Sequence, residues 1–203
     1  MINQNPPTPA APAALRTLGI LGSGKGSNFA AILRAIQAGA LKARVGLVLS
    51  DNPHAGILDL GRAAGIEVGT IDEPRFKTRL SPEVERETVQ RLLRAGVDLV
   101  VLAGYMRMVK EPLLAAFPGR ILNIHPSLLP KFPGLESWRQ ALEAGESETG
   151  CTVHWVDAGM DTGPVIAQER VPILPSDSPE SLHARIQEAE HRILPRVLAK
   201  ICA

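Results

Sequence analysis

The segment "DLVVLAG" (98–104) constrains the fold most, because it is apolar on both faces. A strand reads in this way when helices cover both sides of a parallel sheet. Further short runs rich in β-branched and apolar residues alternate mainly with helical patterns, at 17–21, 44–50, 67–71, 120–125, 151–156 and 164–173. The sequence therefore predicts an α/β fold, a three-layer α/β/α, Rossmann-like arrangement with a mostly parallel sheet of about seven strands.

Most of the chain is predicted to form a single domain. It has 203 residues, of which 45% are hydrophobic, enough apolar material for one substantial core. Residues 1–14, "MINQNPPTPAAPAA", are rich in proline and alanine, and we expect a disordered tail there. Residues 15–203 make up the predicted domain. Within it, Ser137 and Gln140 have the spacing of a capping box for a helix over 138–144.

Charge and cysteine content narrow the function classes. The chain has 22 Lys plus Arg and 21 Asp plus Glu, so no global charge favours nucleic acid or an acidic membrane surface. It has no apolar run near the roughly 18 residues needed to span a bilayer. Two cysteines without a paired spacing fit a reducing compartment. We therefore expect a cytoplasmic protein with neither nucleic acid nor membrane as a partner.

Two polar residues, Asn123 and His125, interrupt the apolar run "RILNIH" (120–125). Because side chains alternate between the faces of a strand, both point to the same side. An imidazole can donate and accept a proton near neutral pH, and an amide can hydrogen-bond an oxygen that becomes negative. The pair suits attack on a carbonyl group, while a merely hydrogen-bonded structural histidine is the alternative interpretation.

Asp157 and Asp161 lie in the glycine-bearing loop "DAGMDTG" (157–163). A carboxylate beside an imidazole stabilises its charged form and raises its pKa. Asp161 is therefore a candidate third member of the polar pair. The spacing alone does not say whether it reaches His125.

The sequence favours neither a metal centre nor a serine hydrolase site. His125, His154 and an aspartate could act as metal ligands, but no compact metal-binding motif supports this, so we expect no metal. His154 alternates with apolar residues on its strand and is interpreted as structural. A serine hydrolase is not indicated, because the sequence has no G-x-S-x-G elbow.

A glycine-rich turn, "GSGKGSN" (22–28), lies between the first strand and the following helix. The backbone N–H groups and the dipole at such a helix start can bind an anion. The turn matches neither the Walker loop nor the G-x-G-x-x-G dinucleotide fingerprint. A single phosphate is the preferred ligand, and a tight turn without a ligand is the alternative.

Four segments together carry a resemblance to a known family: "SGKGSNFAAIL", "LVVLAGYMRMV", "ILNIHPSLLPKFPG" and "GCTVHWVDAGMDTGPVI". They resemble the phosphoribosylglycinamide formyltransferases of the folate-dependent formyltransferase superfamily. The resemblance covers about residues 17–200 and implies the formyltransferase fold. It also implies transfer of the formyl group of the co-substrate 10-formyltetrahydrofolate to the amine of glycinamide ribonucleotide (GAR) in purine synthesis, by a monomer or a homodimer without a metal.

The resemblance assigns roles to individual residues. It implies that Asn123 and His125 stabilise the oxyanion, that His125 donates a proton, and that Asp161 holds His125 protonated. The residues implied to bind GAR are Gly26, Ser27, Asn28 and Glu190. The residues implied to bind the folate are Arg79, Met106, Arg107, Met108, Val109, Asn123 and Asp157, with Arg107 near the glutamate tail.

Several functions remain as alternatives. The methionyl-tRNA enzyme of this superfamily carries a further C-terminal domain, and a net charge of +1 does not favour tRNA. The formyltetrahydrofolate deformylase carries an N-terminal regulatory domain, and sugar-nucleotide formyltransferases share the Asn, His and Asp set. From another class, a non-catalytic nucleotide-binding module would use the glycine turn alone.

Overall fold

The structure is a computed structural model, and it describes residues 15–203. The tail predicted over 1–14 lies outside the described residues. Within the described range there are seven strands, close to the predicted runs: β1 (Arg16–Leu21), β2 (Ala43–Ser50), β3 (Val68–Thr70), β4 (Leu99–Leu102), β5 (Ile121–His125), β6 (Glu148–Trp155) and β7 (Val165–Pro172).

Six helices accompany these strands in the described range: α1 (Ser27–Gln37), α2 (Gly56–Ala63), α3 (Pro82–Arg94), α4 (Glu111–Ala116), α5 (Ser137–Glu143) and α6 (Pro179–Ile201). Helix α4 was not predicted, because six residues are too few to show a helical period. None of the helices in residues 15–203 is both long and apolar enough to cross a membrane.

The strands form a single sheet in the order β3-β2-β1-β4-β5-β6-β7. The pairs from β3 through β5 are parallel, whereas β6 runs antiparallel to both β5 and β7. The predicted mostly parallel sheet of about seven strands is confirmed. The helical crossovers between β1 and β5 give the parallel order, and β6 is the one strand of the described sheet that runs in the opposite direction.

An apolar core lies on each face of the sheet. On one face, α1 and α6 pack through Phe29, Ile32, Ile186 and Ile193 against alternate residues of the strands. On the other face, α3 and α4 pack through Leu92 and Leu113 against strand residues of the opposite parity, such as Val100 and Leu102. Since both faces are covered, the sheet is the middle of three layers, as predicted.

The predicted capping box of α5 is wrong. The N-cap residue is Glu136, in the left-handed region with φ 52°, and it makes no side-chain capping bond. Ser137 Oγ instead donates to the carbonyl of Pro126 at 2.8 Å, and Gln140 Nε2 donates to the carbonyl of Leu135 at 2.8 Å. Both side chains therefore anchor the loop that precedes the helix.

The strand order determines where a ligand can bind. From β1 the chain crosses to β2 and β3 on one side, and from β3 it returns to β4 on the other side of β1. The sheet therefore has its topological switch point between β1 and β4. In open α/β sheets, ligands bind outside the carboxyl ends of the strands at this point. The glycine turn follows β1 and the segment 103–109 follows β4, so both lie there.

Candidate active site

The structure brings together the three residues that the sequence proposes for catalysis. Asn123 and His125 lie at the carboxyl end of β5, and Asp161 lies in the loop between β6 and β7. Asp161 Oδ2 is 3.3 Å from His125 Nδ1, and Asp161 Oδ1 accepts from Asn123 Nδ2 at 3.3 Å. The antiparallel reversal of β6 returns the chain to β5, which closes the long sequence gap between these residues.

Asp161 is held in place by its backbone and its hydrogen bonds. Its φ of 55° is in the left-handed region, which a non-glycine residue adopts at a cost of about 1–3 kcal/mol. Its Oδ2 also accepts from the Gly134 N–H at 2.9 Å. Burial opposes the ionisation of Asp161, but the nearby imidazoles of His154 and His125 and the hydrogen bond from the Gly134 N–H outweigh burial and lower the pKa of Asp161. The carboxylate is therefore the stable form.

His125 is 5% exposed, and both of its ring nitrogens face oxygen acceptors. Nε2 contacts the Phe132 carbonyl at 2.9 Å, and Nδ1 faces Asp161. Burial lowers the pKa of His125, while Asp161 and the Phe132 carbonyl offset part of that shift. The expectation that Asp161 holds His125 protonated is therefore wrong as a net effect. The site favours the neutral imidazole and stabilises the cation when a proton arrives.

His154, interpreted from the sequence as structural, belongs to this cluster. It lies opposite Asn123 in the β5–β6 register. Its Nδ1 is 2.9 Å from the Trp155 carbonyl, so in the neutral ring Nδ1 carries the proton. Nε2 then accepts from Asn123 Nδ2 at 3.1 Å and lies 3.6 Å from Asp161 Oδ1. His154 thus orients the amide of Asn123.

The proline-rich loop between β5 and α5 supplies backbone groups to the site. Phe132 has φ 55° and presents its carbonyl to His125, and Gly134 presents its N–H to Asp161. Among residues 15–203, the non-glycine residues with positive φ are Phe132, Glu136 and Asp161, and each belongs to this loop or to the catalytic cluster. Strained backbone is thus concentrated beside the candidate catalytic groups.

The glycine turn forms one end of the same cleft. Gly26 is the N-cap of α1 with φ 82°, and a Cβ there would lie 2.9 Å from the backbone of Ile57. Only glycine therefore fits without strain. The first turn of α1, which begins with Ser27 and Asn28, contains no acidic residue, so the N–H groups at the helix start meet no competing carboxylate of that turn.

Glu190 lies beside this turn and is buried, with 5% exposure. Its Oε2 accepts from Asn28 Nδ2 at 2.8 Å, and Asn28 Oδ1 is buried without a partner. Burial raises the pKa of Glu190 to about 7, against the opposing effect of the Asn28 hydrogen bond. The pair thus faces the cleft with unused hydrogen-bonding capacity. Gln187, which the sequence does not single out, lines the cleft one turn earlier on α6.

The cleft has a volume of about 970 Å³ and connects the glycine turn to the catalytic cluster and to the segment after β4. This size is in the range of small-molecule sites. Of the residues proposed for folate binding, those that line the cleft are Met106, Arg107, Met108, Val109, Asn123 and Asp157. Asp157 Oδ1 also accepts from the Gly159 N–H and from Thr162 Oγ1, which shapes its loop.

Arg107 does not present a free guanidinium to the cleft. Its Nε donates to Asp51 Oδ2 at 2.7 Å, and Nη1 donates to the carbonyls of Phe76 and Arg79. Asp51 also accepts from Ser23 Oγ at 2.5 Å. Arg107 therefore joins the ends of β1 and β2 to the segment after β4, and its position near the glutamate tail of the folate stays a prediction.

Arg79 does not line the cleft. Its guanidinium carbon lies 4.5 Å from the centre of the Phe76 ring, and the residue is exposed. Its backbone pairs with Met108 in an isolated bridge, next to the Met108 N–H bond to the Thr78 carbonyl at 2.8 Å. The structure thus places Arg79, which the resemblance implies to bind the folate, outside the residues that line the cleft.

Replacement of Asp51 by alanine is expected to lower the free energy of unfolding by about 2–3 kcal/mol. The Asp51 and Arg107 side chains are 11% and 10% exposed, so the substitution leaves a nearly buried guanidinium without its carboxylate. Urea unfolding measures the loss. Asp59→Ala, which breaks an exposed ion pair with Arg62, is the control and should cost less than about 1 kcal/mol. Equal losses in the two variants would contradict the role of the buried pair.

No metal centre emerges from the side chains. Across residues 15–203, no group of three or more His, Cys, Asp and Glu side chains is arranged to hold a metal ion. His125, His154 and Asp161 instead bond to one another and to backbone carbonyls. Their arrangement is that of a proton-transfer site with a carboxylate beside an imidazole.

The chain is similar to several known proteins. It is 48% identical over 191 residues to the trifunctional purine biosynthetic protein adenosine-3 of Drosophila melanogaster, covering 92% of this chain and 14% of that protein. It is 42% identical over 180 residues to phosphoribosylglycinamide formyltransferase of Escherichia coli (strain K12), covering 89% and 84% of the two chains. The chain therefore spans about a seventh of the fly protein's length.

A solved structure shares the fold. The crystal structure of glycinamide ribonucleotide transformylase 1 from Symbiobacterium toebii superimposes with a TM-score of 0.88 at 47% identity, covering 93% of this chain and 88% of that one. The family described as formyl transferase matches residues 17–198, which include both ends of the cleft and the catalytic cluster. The chain therefore belongs to the formyl transferase family.

Proposed function

We propose that this protein transfers the formyl group of 10-formyltetrahydrofolate to the amine of glycinamide ribonucleotide, a step of purine synthesis. The observation that carries the proposal is the convergence of Asn123, His125 and Asp161 on one cleft, within 3.3 Å contacts, between a glycine turn and an apolar segment. The similarity to the E. coli and S. toebii proteins, which bear the names of this activity, supports the same substrates.

The ribonucleotide fits the end of the cleft at the glycine turn. Its phosphate meets the N–H groups of Gly26, Ser27 and Asn28 at the start of α1, where the helix dipole favours an anion. Lys25 lines the same end and adds a positive charge. The buried pair of Asn28 and Glu190 offers the hydrogen-bonding groups that ribose hydroxyls require.

The folate fits the other end, where the lining is apolar. Leu102, Met106, Met108, Val109 and Val156 line this part and suit a flat ring system. When bound, 10-formyltetrahydrofolate supplies the formyl carbon that the amine attacks and the nitrogen that leaves. The position of Arg107 in its ion pair makes it a residue that holds the segment after β4 in place.

Asn123 stabilises the oxygen of the formyl group as it becomes negative. In the structure its Nδ2 donates to His154 at 3.1 Å and to Asp161 at 3.3 Å. The longer bond, to Asp161, breaks when the formyl oxygen binds, and the bond to His154 keeps the amide aligned. A preorganised donor of this kind contributes about 10²- to 10³-fold to the rate.

His125 carries the proton that the amine loses and the leaving nitrogen gains. Burial keeps the resting imidazole neutral and able to accept a proton, while Asp161 stabilises the imidazolium that forms. The imidazolium can then donate the proton as the carbon–nitrogen bond of the folate breaks. The carboxylate also fixes the orientation of the ring through its bond from the Gly134 N–H.

An assay with glycinamide ribonucleotide and 10-formyltetrahydrofolate tests the proposal. Formation of the formylated ribonucleotide and of tetrahydrofolate should require both substrates and the protein. The control omits the ribonucleotide and measures formate release by water. Formate release that is equally fast without the amine would instead identify a formyltetrahydrofolate deformylase, and no turnover in either assay would favour a non-catalytic nucleotide-binding module.

Location and assembly are further parts of the proposal. A cytoplasmic location is supported by two free cysteines, Cys151 and Cys202, of which Cys151 is buried. Whether the protein acts as a monomer or as a homodimer stays a prediction, and gel filtration with light scattering tests it. Neither point affects the catalytic cluster, whose described members all belong to one chain.

A further inference from the structure

A stacked pair of rings, Trp138 and His183, stands in the wall of the cleft. Trp138 is the second residue of α5 and His183 lies in the first turns of α6, and both line the cleft. Their ring centroids are 3.7 Å apart and their planes differ by 3°, so the rings stack face to face. The sequence singles out neither residue, and the proposed chemistry does not use them.

The stack belongs to the end of the cleft proposed for the ribonucleotide. His183, Gln187 and Glu190 lie at helical spacing on one face of α6, and His183 Nε2 is 3.4 Å from Gln187 Nε2. Glu190 in turn bonds to Asn28 of the glycine turn. These three side chains form a row along α6, from the stack at His183 to Glu190 beside the start of α1.

The stack connects α5 and α6 at the wall of the cleft, beside the apolar core that both helices share. Helix α5 has seven residues and lacks a side-chain cap, so its own hydrogen bonds hold it weakly. A sugar phosphate has little apolar surface, and its affinity depends on polar groups held at fixed positions. A brace between α5 and α6 keeps the row on α6 at a fixed distance from the glycine turn.

We propose that the Trp138–His183 stack is a positioning element that sets the affinity for the pentose 5-phosphate part of the amine substrate. This inference rests on the proposed function. It concerns substrate binding only, because the loop that serves His125 has its own anchors. Ser127 Oγ bonds to the Lys131 carbonyl, and the Ser127 carbonyl accepts from Thr152 Oγ1 on β6.

Steady-state kinetics of Trp138→Ala and His183→Ala test the proposal. The KM for the ribonucleotide should rise about tenfold, the size expected for loss of an aromatic stack, while kcat and the KM for the folate stay within about twofold. Trp138→Phe and His183→Phe keep an aromatic face and should recover most of the affinity. His54→Ala, at an exposed histidine outside the residues that line the cleft, should behave like the wild type.

Binding is measured separately from turnover in a Trp155→Phe background, in which Trp138 is the one tryptophan. Titration with the ribonucleotide should change its fluorescence saturably, and adding His183→Ala should weaken this binding about tenfold. Unchanged affinity in both alanine variants, or an equal loss of kcat and of both affinities, would overturn the inference. Failure of the wild type to formylate the ribonucleotide would overturn the proposed function instead.

Discussion

Replacement of His125 by alanine is expected to lower kcat for formyl transfer by about 10²- to 10⁴-fold, the usual contribution of a positioned general acid and base. The imidazole is 5% exposed and contacts Asp161 and the Phe132 carbonyl, so water cannot take its place in the same geometry. Rapid-quench or spectrophotometric assays at saturating substrates measure the loss. Affinity for both substrates should change little, because the variant removes a group that acts in the chemical step.

Stability must be followed in the same variant. Loss of the ring leaves the Phe132 carbonyl without its partner, at a cost of about 1–3 kcal/mol. His125→Gln keeps a polar side chain there and should unfold at higher urea than His125→Ala, yet remain equally inactive. His54→Ala, at an exposed histidine outside the cleft lining, is the matched control and should retain full activity. Wild-type turnover by a folded His125→Ala protein would remove the proposed mechanism.

Local patterns in the sequence predict much of this fold. The alternation of side chains along a strand is enough to place Asn123 and His125 on one face, because that rule depends only on neighbouring residues. The two-sided apolar run at 98–104 similarly locates the centre of the sheet, where β4 pairs with β1 and β5. Such predictions need no knowledge of distant partners.

Residues whose environment depends on distant partners are predicted less well. His154 belongs to the catalytic cluster because β6 pairs antiparallel with β5, and no local pattern specifies that pairing. Arg107 is nearly buried because Asp51, which follows another strand, accepts a hydrogen bond from its guanidinium. Without knowledge of its partner, a charged residue next to an apolar segment is predicted to be exposed and to contact a ligand.

The spacing of apolar residues around Glu190 indicates a buried side chain, although glutamate on a helix is usually exposed. An exposed glutamate is the common case on a helix, yet Glu190 follows Ile186 by four residues and precedes Leu194 by four. It therefore falls within the apolar stripe of α6, and the structure shows it buried against α1. A carboxylate within an apolar stripe marks a group that needs a specific partner, here Asn28.

Sequence reasoning predicts correctly that Asp161 raises the pKa of His125, but it does not predict the burial that lowers this pKa overall. A carboxylate neighbour is expected, and the structure places Asp161 3.3 Å away. The extent of burial depends on how β6, the proline-rich loop and β5 enclose the ring. Burial changes the pKa of His125 more than Asp161 does. The distinction matters for mechanism, because a neutral resting imidazole can begin the reaction by accepting a proton.

Replacement of Asp161 by asparagine is expected to lower kcat by about 10²-fold at neutral pH. Asparagine keeps an oxygen for the Gly134 N–H, but it loses the charge that stabilises the imidazolium of His125. The measured quantities are kcat for both proteins and their urea unfolding, which should differ little.

The pH profile separates this electrostatic role from a structural one. Asp161 raises the pKa of His125 against the lowering effect of burial, so removal of its charge lowers that pKa further. Because the neutral imidazole starts the reaction, its protonation limits kcat on the acid side, and the acid limb of the kcat profile should move to lower pH. Asp59→Asn, at an exposed helical site, should leave the profile in place. An Asp161→Asn profile that superimposes on the wild-type curve, or one whose acid limb moves to higher pH, would show that the carboxylate does not tune His125.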